Sequence, residues 1–417
     1  MYALTDLYRL KESAMLRQRI SILLASIAVV STAYADAPGM KHEILVQDLP
    51  KPYATPAVDN SSQTIARPNG WLPQVPKGFA ISVFASGLSD PRWMALAPNG
   101  DVFLAEPSAG KITLLRDANH DGKAESAFTF ATGFDRPHGL AFHNGALYVG
   151  DLNAVWKLGY TEGATQRGQR TRITKQSFGG KEGHSTRDIA FGPDGTLYVA
   201  IGSAGNVETS DPPTRASVQK VNANGTLSTY ASGLRNPVAI VFQPGTNEMW
   251  VTVNERDGLG DNLPPDYATH VEAGAFYGWP YAYIGPHPDP TFGAKRPDMV
   301  AKTKTPDVLF QPHSAPLGLV FYEGAQFPAG YKGDAFVAFH GSWNSGKPHG
   351  YKVVRIHFAG SKPAGGYEDF VTGFWDGKMS PAHVYGRPAG LLVTKDGSLL
   401  IADDAGKTVW RVSYTGK

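Results

Sequence analysis

His184-Ser-Thr-Arg-Asp-Ile-Ala-Phe-Gly-Pro-Asp-Gly-Thr-Leu-Tyr-Val199 contains an apolar run, a Pro-Asp-Gly turn and a second apolar run. Pro and Gly preset a tight reversal, so the segment predicts two short antiparallel strands. The same order recurs along the chain. Copies begin at Ser86, Thr132, Ser232 and Tyr385, and a weaker one joins Pro316–Tyr322 to Asp334–Phe339. The first two copies set Pro91 and Pro137 46 residues apart, and later gaps hold insertions. A period near 45–50 built from strand–turn–strand pieces is the pattern of a β-propeller. Six copies predict an all-β, six-bladed β-propeller of four-stranded antiparallel blades over residues 78–417.

One blade can be traced strand by strand. Residues 92–97 are its inner strand, followed by 101–105, 111–115 and 126–130. The strand Ala80–Ala85 then has no blade of its own. It is expected beside Thr408–Val412 as the outer strand of the last blade, which would close the ring and leave no open edge there.

Composition agrees. Gly and Pro number 47 and 31 among 417 residues, hydrophobic residues make up 42% and charged residues 18%. That suits many short strands joined by turns and excludes a disordered chain or a helical bundle. Net charge is only +2, with no long basic run, so no strong field favours nucleic acid. Cysteine is absent, which excludes disulfides, thiolate metal sites, a Cys nucleophile and covalently attached c-type haem.

Arg9, Lys11, Arg17 and Arg19 precede an apolar run from Ile20 to Val30, and Ala33 and Ala35 follow. Basic residues, a short apolar stretch and an A-x-A site predict a signal peptide over 1–35, cleaved after Ala35. An uncleaved anchor fits the same pattern. Met15 is an alternative initiator. The mature protein is expected in a bacterial periplasm, with no membrane span of its own. Residues 36–77 are Pro-rich and read as an irregular N-terminal arm.

In a propeller the loops leading into the inner strands share one face. The residues before those strands include Arg92, Arg136, His138, His184, Arg187, Arg235, Asn236, His313 and Arg387. Cations and imidazoles from distant segments thus converge, which suits a polyanionic ligand. Singly, such a residue could also serve only to cap or stack.

His184–Gly195, Gly233-Leu-Arg-Asn-Pro237, Asn254-Glu-Arg-Asp-Gly-Leu-Gly-Asp261, Phe276-Tyr-Gly-Trp-Pro280 and His340-Gly-Ser-Trp-Asn344 resemble the quinoprotein sugar dehydrogenases, nearest the L-sorbosone branch related to soluble glucose dehydrogenase. The resemblance spans about residues 78–415. It implies pyrroloquinoline quinone (PQQ) and Ca²⁺ on the propeller axis and oxidation of a sugar or aldehyde, with electrons leaving to a separate acceptor. It implies His184 as general base, and Arg235, Asn236, Lys347, Arg387 and Trp343 as cofactor contacts. Backbone carbonyls of Arg256 and Asp257 are the implied Ca²⁺ ligands, with Asp261 supporting their loop. The chemistry is consistent: Arg pairs with carboxylates, Ca²⁺ takes hard oxygen ligands, and an imidazole can accept a hydroxyl proton.

Two positions depart from the family pattern. Ser203 stands where an Asp often orients the base, and Tyr385 replaces an expected Arg. Each residue also has a plainer reading: His184 bonding a carbonyl, Lys347 in a solvated turn, Trp343 in the core, 255–261 as a Gly-rich turn. Asp117-Ala-Asn119-His-Asp121-Gly122 copies the start of an EF-hand loop but has Phe128 where the bidentate Glu belongs. Two other functions remain open on sequence: a calcium-dependent propeller hydrolase acting on lactones, and a non-catalytic binding propeller.

Overall fold

The traced copy folds as expected. Met94–Leu96, Val102–Glu106, Lys111–Arg116 and Ser126–Thr132 pair antiparallel in that order. The next two copies do the same, as Leu140–His143 through Arg170–Arg172 and as Ile189–Phe191 through Leu227–Ser232. In the copy that begins with Asn236–Phe242, the fourth strand is Val308–Leu309. It is reached only after an excursion holding the short helix Pro297–Lys302. Pro316–Phe321, Ala335–Phe339, Lys352–Ile356 and Tyr367–Val371 form a further sheet. The computed structural model describes residues 36–416. The expected leader, 1–35, lies outside the described residues.

Pro388–Val393, Leu399–Asp403 and Thr408–Tyr414 make the last sheet, and its fourth strand comes from the other end of the fold. Phe79–Ser86 pairs there, with Phe79 opposite Tyr414 and Ser86 opposite Thr408. The unassigned strand of the sequence is therefore the closing strand. First strands of successive sheets touch one another, and the contact between Pro388–Val393 and Met94–Leu96 returns the series to its start.

Most second strands are buried along their whole length. Every residue of Val102–Glu106, Ala146–Gly150, Leu197–Ile201, Ala335–Phe339 and Leu399–Asp403 is buried. Their apolar runs lack polar alternation because a neighbouring sheet covers each face. One cluster joins Leu104 and Leu115 to Leu400 and Val409, and another joins Tyr148 and Val155 to Ile189 and Val199. Each fully buried Leu, Val or Ile contributes ~1.5–3 kcal/mol. First strands approach so closely that a side chain does not fit everywhere. A Cβ on Gly139 would lie 2.6 Å from the Arg187 carbonyl, and one on Gly390 2.0 Å from that of Arg92.

The arm is mostly irregular but is tied down. Lys41–His42 extends the sheet at Tyr367, and Gln63–Thr64 runs parallel to His383–Val384. Arg67 bonds Asp403 and lies 4.7 Å from the Trp410 ring centre. Among the described residues, no helix is long and apolar enough to cross a membrane.

Candidate active site

First strands begin, and second strands end, on the same face. Residues from both positions line a cavity of about 400 Å³. His184, Arg235, Asn236, Arg387 and Trp343 all line it, as the sequence predicts, with Arg92 and His313.

His184 Nδ1 lies 2.9 Å from the Ser203 carbonyl and 3.1 Å from Ser203 Oγ. Nδ1–H therefore donates to the carbonyl, and the hydroxyl itself donates to Gly205 O. This tautomer leaves the Nε2 lone pair unspent. Burial, then the Arg235 charge, pushes the imidazole down to about 3, so it is neutral at pH 7. With no carboxylate behind it, a charged imidazolium gains nothing from Ser203 beyond the carbonyl contact.

Arg235 is more heavily engaged than the sequence suggests. Nε donates to Asn206 O at 3.0 Å, Nη1 to Glu255 O at 2.7 Å, and Nη2 to Asn206 Oδ1 and Asp257 Oδ2, both at 3.0 Å. The guanidinium thus pins the end of strand Met249–Asn254 to the 206 loop. Arg387 donates to His340 O and Gly341 O, each at 2.9 Å. Trp343 is 45% exposed, so its ring is a cavity wall and not core.

Lys347 is exposed and does not line the cavity. The Asp257 carbonyl, one of the expected Ca²⁺ ligands, accepts from Asn206 Nδ2 and Arg256 Nε at 3.1 Å each. Arg256 itself pairs with Asp289 away from the cavity.

Three acids and an imidazole were not singled out as site residues from sequence, and Asp257 was expected only for its backbone carbonyl. Glu255 and Asp266 are buried in the cavity wall, and burial pushes both up to about 7. Asp266 accepts the Glu255 and Ala315 amides, while Glu255 Oε1 has no partner among the described residues. Asp257 joins Asn344 to Arg235. Asp404 lies 2.9 Å from His340 Nε2 and also pairs with Arg92. Burial alone would raise Asp404, but His340 and Arg92 hold it well below the usual carboxylate range. Glu255, His340 and Asp404 each sit just after a second strand. That position was the available signal.

The residues suit a flat polyanion bearing carboxylates. Arg92 and Arg387 supply fixed charge, and Trp343 supplies an aromatic face. For a hard cation, the unpartnered buried oxygens Glu255 Oε1 and Asn236 Oδ1 are suitable donors in the same wall. Among the described residues, an acidic cluster with metal-ligand spacing lies elsewhere: Asp117, Asp121 and Glu125 place ligand atoms within 4.8 Å of one another. Their oxygens already accept the amides of Ala118, Asp121, Gly122 and Lys123.

Residues 150–342 match the glucose / sorbosone dehydrogenase family, and 293–415 match a TrAA12-like family. The resemblance read from the His184, Arg235 and Trp343 segments is thereby shown. An uncharacterised protein of Borreliella burgdorferi is 29% identical over 357 residues, covering 82% of this chain and 90% of that one. A pyrroloquinoline quinone-dependent pyranose dehydrogenase of Coprinopsis cinerea is 25% identical over 337 residues. That alignment covers 68% of this chain and 44% of the fungal protein. The fold is that of the PQQ domain of the Coprinopsis enzyme, at TM-score 0.69 and 21% identity over 85% of this chain and 99% of that domain.

Proposed function

We propose that the chain is a periplasmic quinoprotein dehydrogenase that oxidises an aldose or related sugar or aldehyde on a six-bladed propeller. The observation that carries this reading is the unspent Nε2 of His184 in a cavity walled by Arg92, Arg387 and Trp343. When bound, PQQ supplies the hydride-accepting quinone and Ca²⁺ a Lewis acid at its oxygen. Arg92 and Arg387 would hold the PQQ carboxylates, and Trp343 would offer it an aromatic face. His184 Nε2 takes the proton of the sugar hydroxyl, with the Ser203 carbonyl fixing the ring. Glu255 Oε1 and Asn236 Oδ1 offer oxygen to the cation. The leader pattern at 1–35 supports export, and N-terminal sequencing of exported protein should begin at Asp36.

The deciding experiment is a visible-spectrum titration of purified protein with PQQ and Ca²⁺, followed by addition of an aldose panel. A bound-cofactor spectrum bleached by an aldose is expected. No spectral change at micromolar PQQ with excess Ca²⁺ overturns the reading. A calcium-dependent lactone hydrolase is favoured by one feature, the grouping of Asn236, Asn254 and Glu255 in one wall. Lactone hydrolysis with Ca²⁺ alone would establish it.

A further inference from the structure

A second cavity of about 250 Å³ shares Arg92, Ser185 and Thr186 with the main one. The common wall therefore begins one residue after His184. The remaining lining includes Arg136 and His138, which no part of the proposed chemistry uses.

This side cavity is rich in donors that lack acceptors. His138 is 2% exposed, its ring centre lies 4.0 Å from that of Trp93 in a tilted arrangement, and neither ring nitrogen has a partner among the described residues. Thr186 Oγ1 is buried without one. Arg136 makes no hydrogen bond or ion pair among the described residues. Arg187, next to Thr186, is fully buried but outside this lining. Its Nη1 donates to the carbonyls of His184 and Thr186, and the Asp151 charge favours its ionised form. The unmet polar groups of the lining are therefore His138 and Thr186, beside the charge of Arg136.

The carboxylates in the lining do not answer this need. Asp404 is committed to Arg92 and His340. Asp90 accepts from the Ser108 amide and hydroxyl. What the cavity lacks is a group that only accepts and carries negative charge. A carboxylate meets both requirements.

We propose that this side cavity receives the carboxylate of an acidic sugar, a uronate, whose reducing end lies beside His184 in the main cavity. The assignment rests on the dehydrogenase reading for the orientation of the sugar, but the anion-binding wall stands on its own geometry. Arg136 supplies charge at the opening, and His138 and Thr186 supply hydrogen bonds within.

Calorimetry on the full mature chain tests this directly, comparing glucuronate, glucose and acetate with and without PQQ plus Ca²⁺. Glucuronate is expected to bind at least about tenfold more tightly than glucose. Arg136→Gln should shrink that ratio to within twofold, and Thr186→Val should shrink it in part. Equal affinity for the two sugars overturns the proposal, as does a preference that survives Arg136→Gln. Acetate competing as well as glucuronate also overturns it, because the wall would then be a general anion site. The PQQ titration separates the two ideas. Cofactor binding without uronate preference removes only the acidic-sugar inference. Uronate preference without cofactor binding removes the dehydrogenase and leaves the subsite.

Discussion

Two imidazoles stand in one cavity with opposite attachments. His184 is tethered through Nδ1 to a carbonyl, and its Nε2 is unspent. His340 spends Nε2 on the Asp404 carboxylate, which also holds Arg92. Burial keeps both neutral, His184 at about 3 and His340 at about 4. A carboxylate partner usually marks the stronger base, and with Nε2 given to Asp404 the remaining lone pair of His340 is on Nδ1. The difference teaches that each imidazole keeps one lone pair, and that what separates them is the second task of His340 in holding Asp404 and Arg92.

Exchanging the two imidazoles breaks or secures that comparison. His184→Ala should lower turnover by roughly 10²–10⁴ with PQQ affinity largely kept, because it removes proton transfer and not carboxylate pairing. His340→Ala should act more on cofactor affinity than on turnover, since it frees Arg92 and Asp404. Stopped-flow reduction at saturating PQQ reads both variants. A larger turnover loss in His340→Ala would move the base to His340.

Titration of the acidic wall sharpens the contrast between the neutral imidazoles and their neighbours. Glu255 is raised to about 7 in the folded chain from a usual value near 4.5. The native state then binds more protons than the unfolded state between those values, so stability falls as pH rises through that window. Glu255→Gln should remove part of the decline, on the order of 2–3 kcal/mol. Urea unfolding at pH 5 and pH 8 measures it. An unchanged slope would mean that Glu255 is already ionised at pH 5.

Arg235 ties the His184 side of the cavity to the 254–257 turn. Arg235→Ala should weaken PQQ binding about ten- to hundredfold, equivalent to roughly 1.5–3 kcal/mol, and Arg235→Lys should recover it only in part. Dissociation constants in one Ca²⁺ buffer check this. Agreement of all three proteins within twofold would leave Arg235 as a structural clamp for Asn206, Glu255 and Asp257.

The smallest effect is expected beneath Trp343. Asn60 donates its amide nitrogen to the Trp343 carbonyl and Nδ2 to Ser345 O and Met379 O. Asn60→Ala should cost about 1–2 kcal/mol and speed hydrogen exchange in 343–346. Unchanged exchange there would show that the loop holds itself without the arm.

Much of the strand pattern was legible because it is local. An apolar run, a Pro-Asp-Gly turn and another run specify a hairpin wherever they occur, and the unassigned strand at 80–85 pointed to its partner at 408–412. Residues preceding first strands could be placed at the cavity for the same reason, which located His184, Asn236 and Arg387. The other half of the wall was missed, although it follows from the same antiparallel pairing. A second strand returns to the face where the first began, so Glu255, His340 and Asp404 arrive beside the residues that were found.

By itself the sequence determined repeat, turn chemistry and family resemblance, since each depends on neighbours within a few residues. Only the tertiary structure decided how the donors were spent. Arg235 meets acceptors 19 to 29 residues away, the Asp257 carbonyl is taken by Asn206, and Lys347 lies outside the cavity. Hydrogen-bond valence is a property of what surrounds an atom in space, and strand spacing carries no record of it.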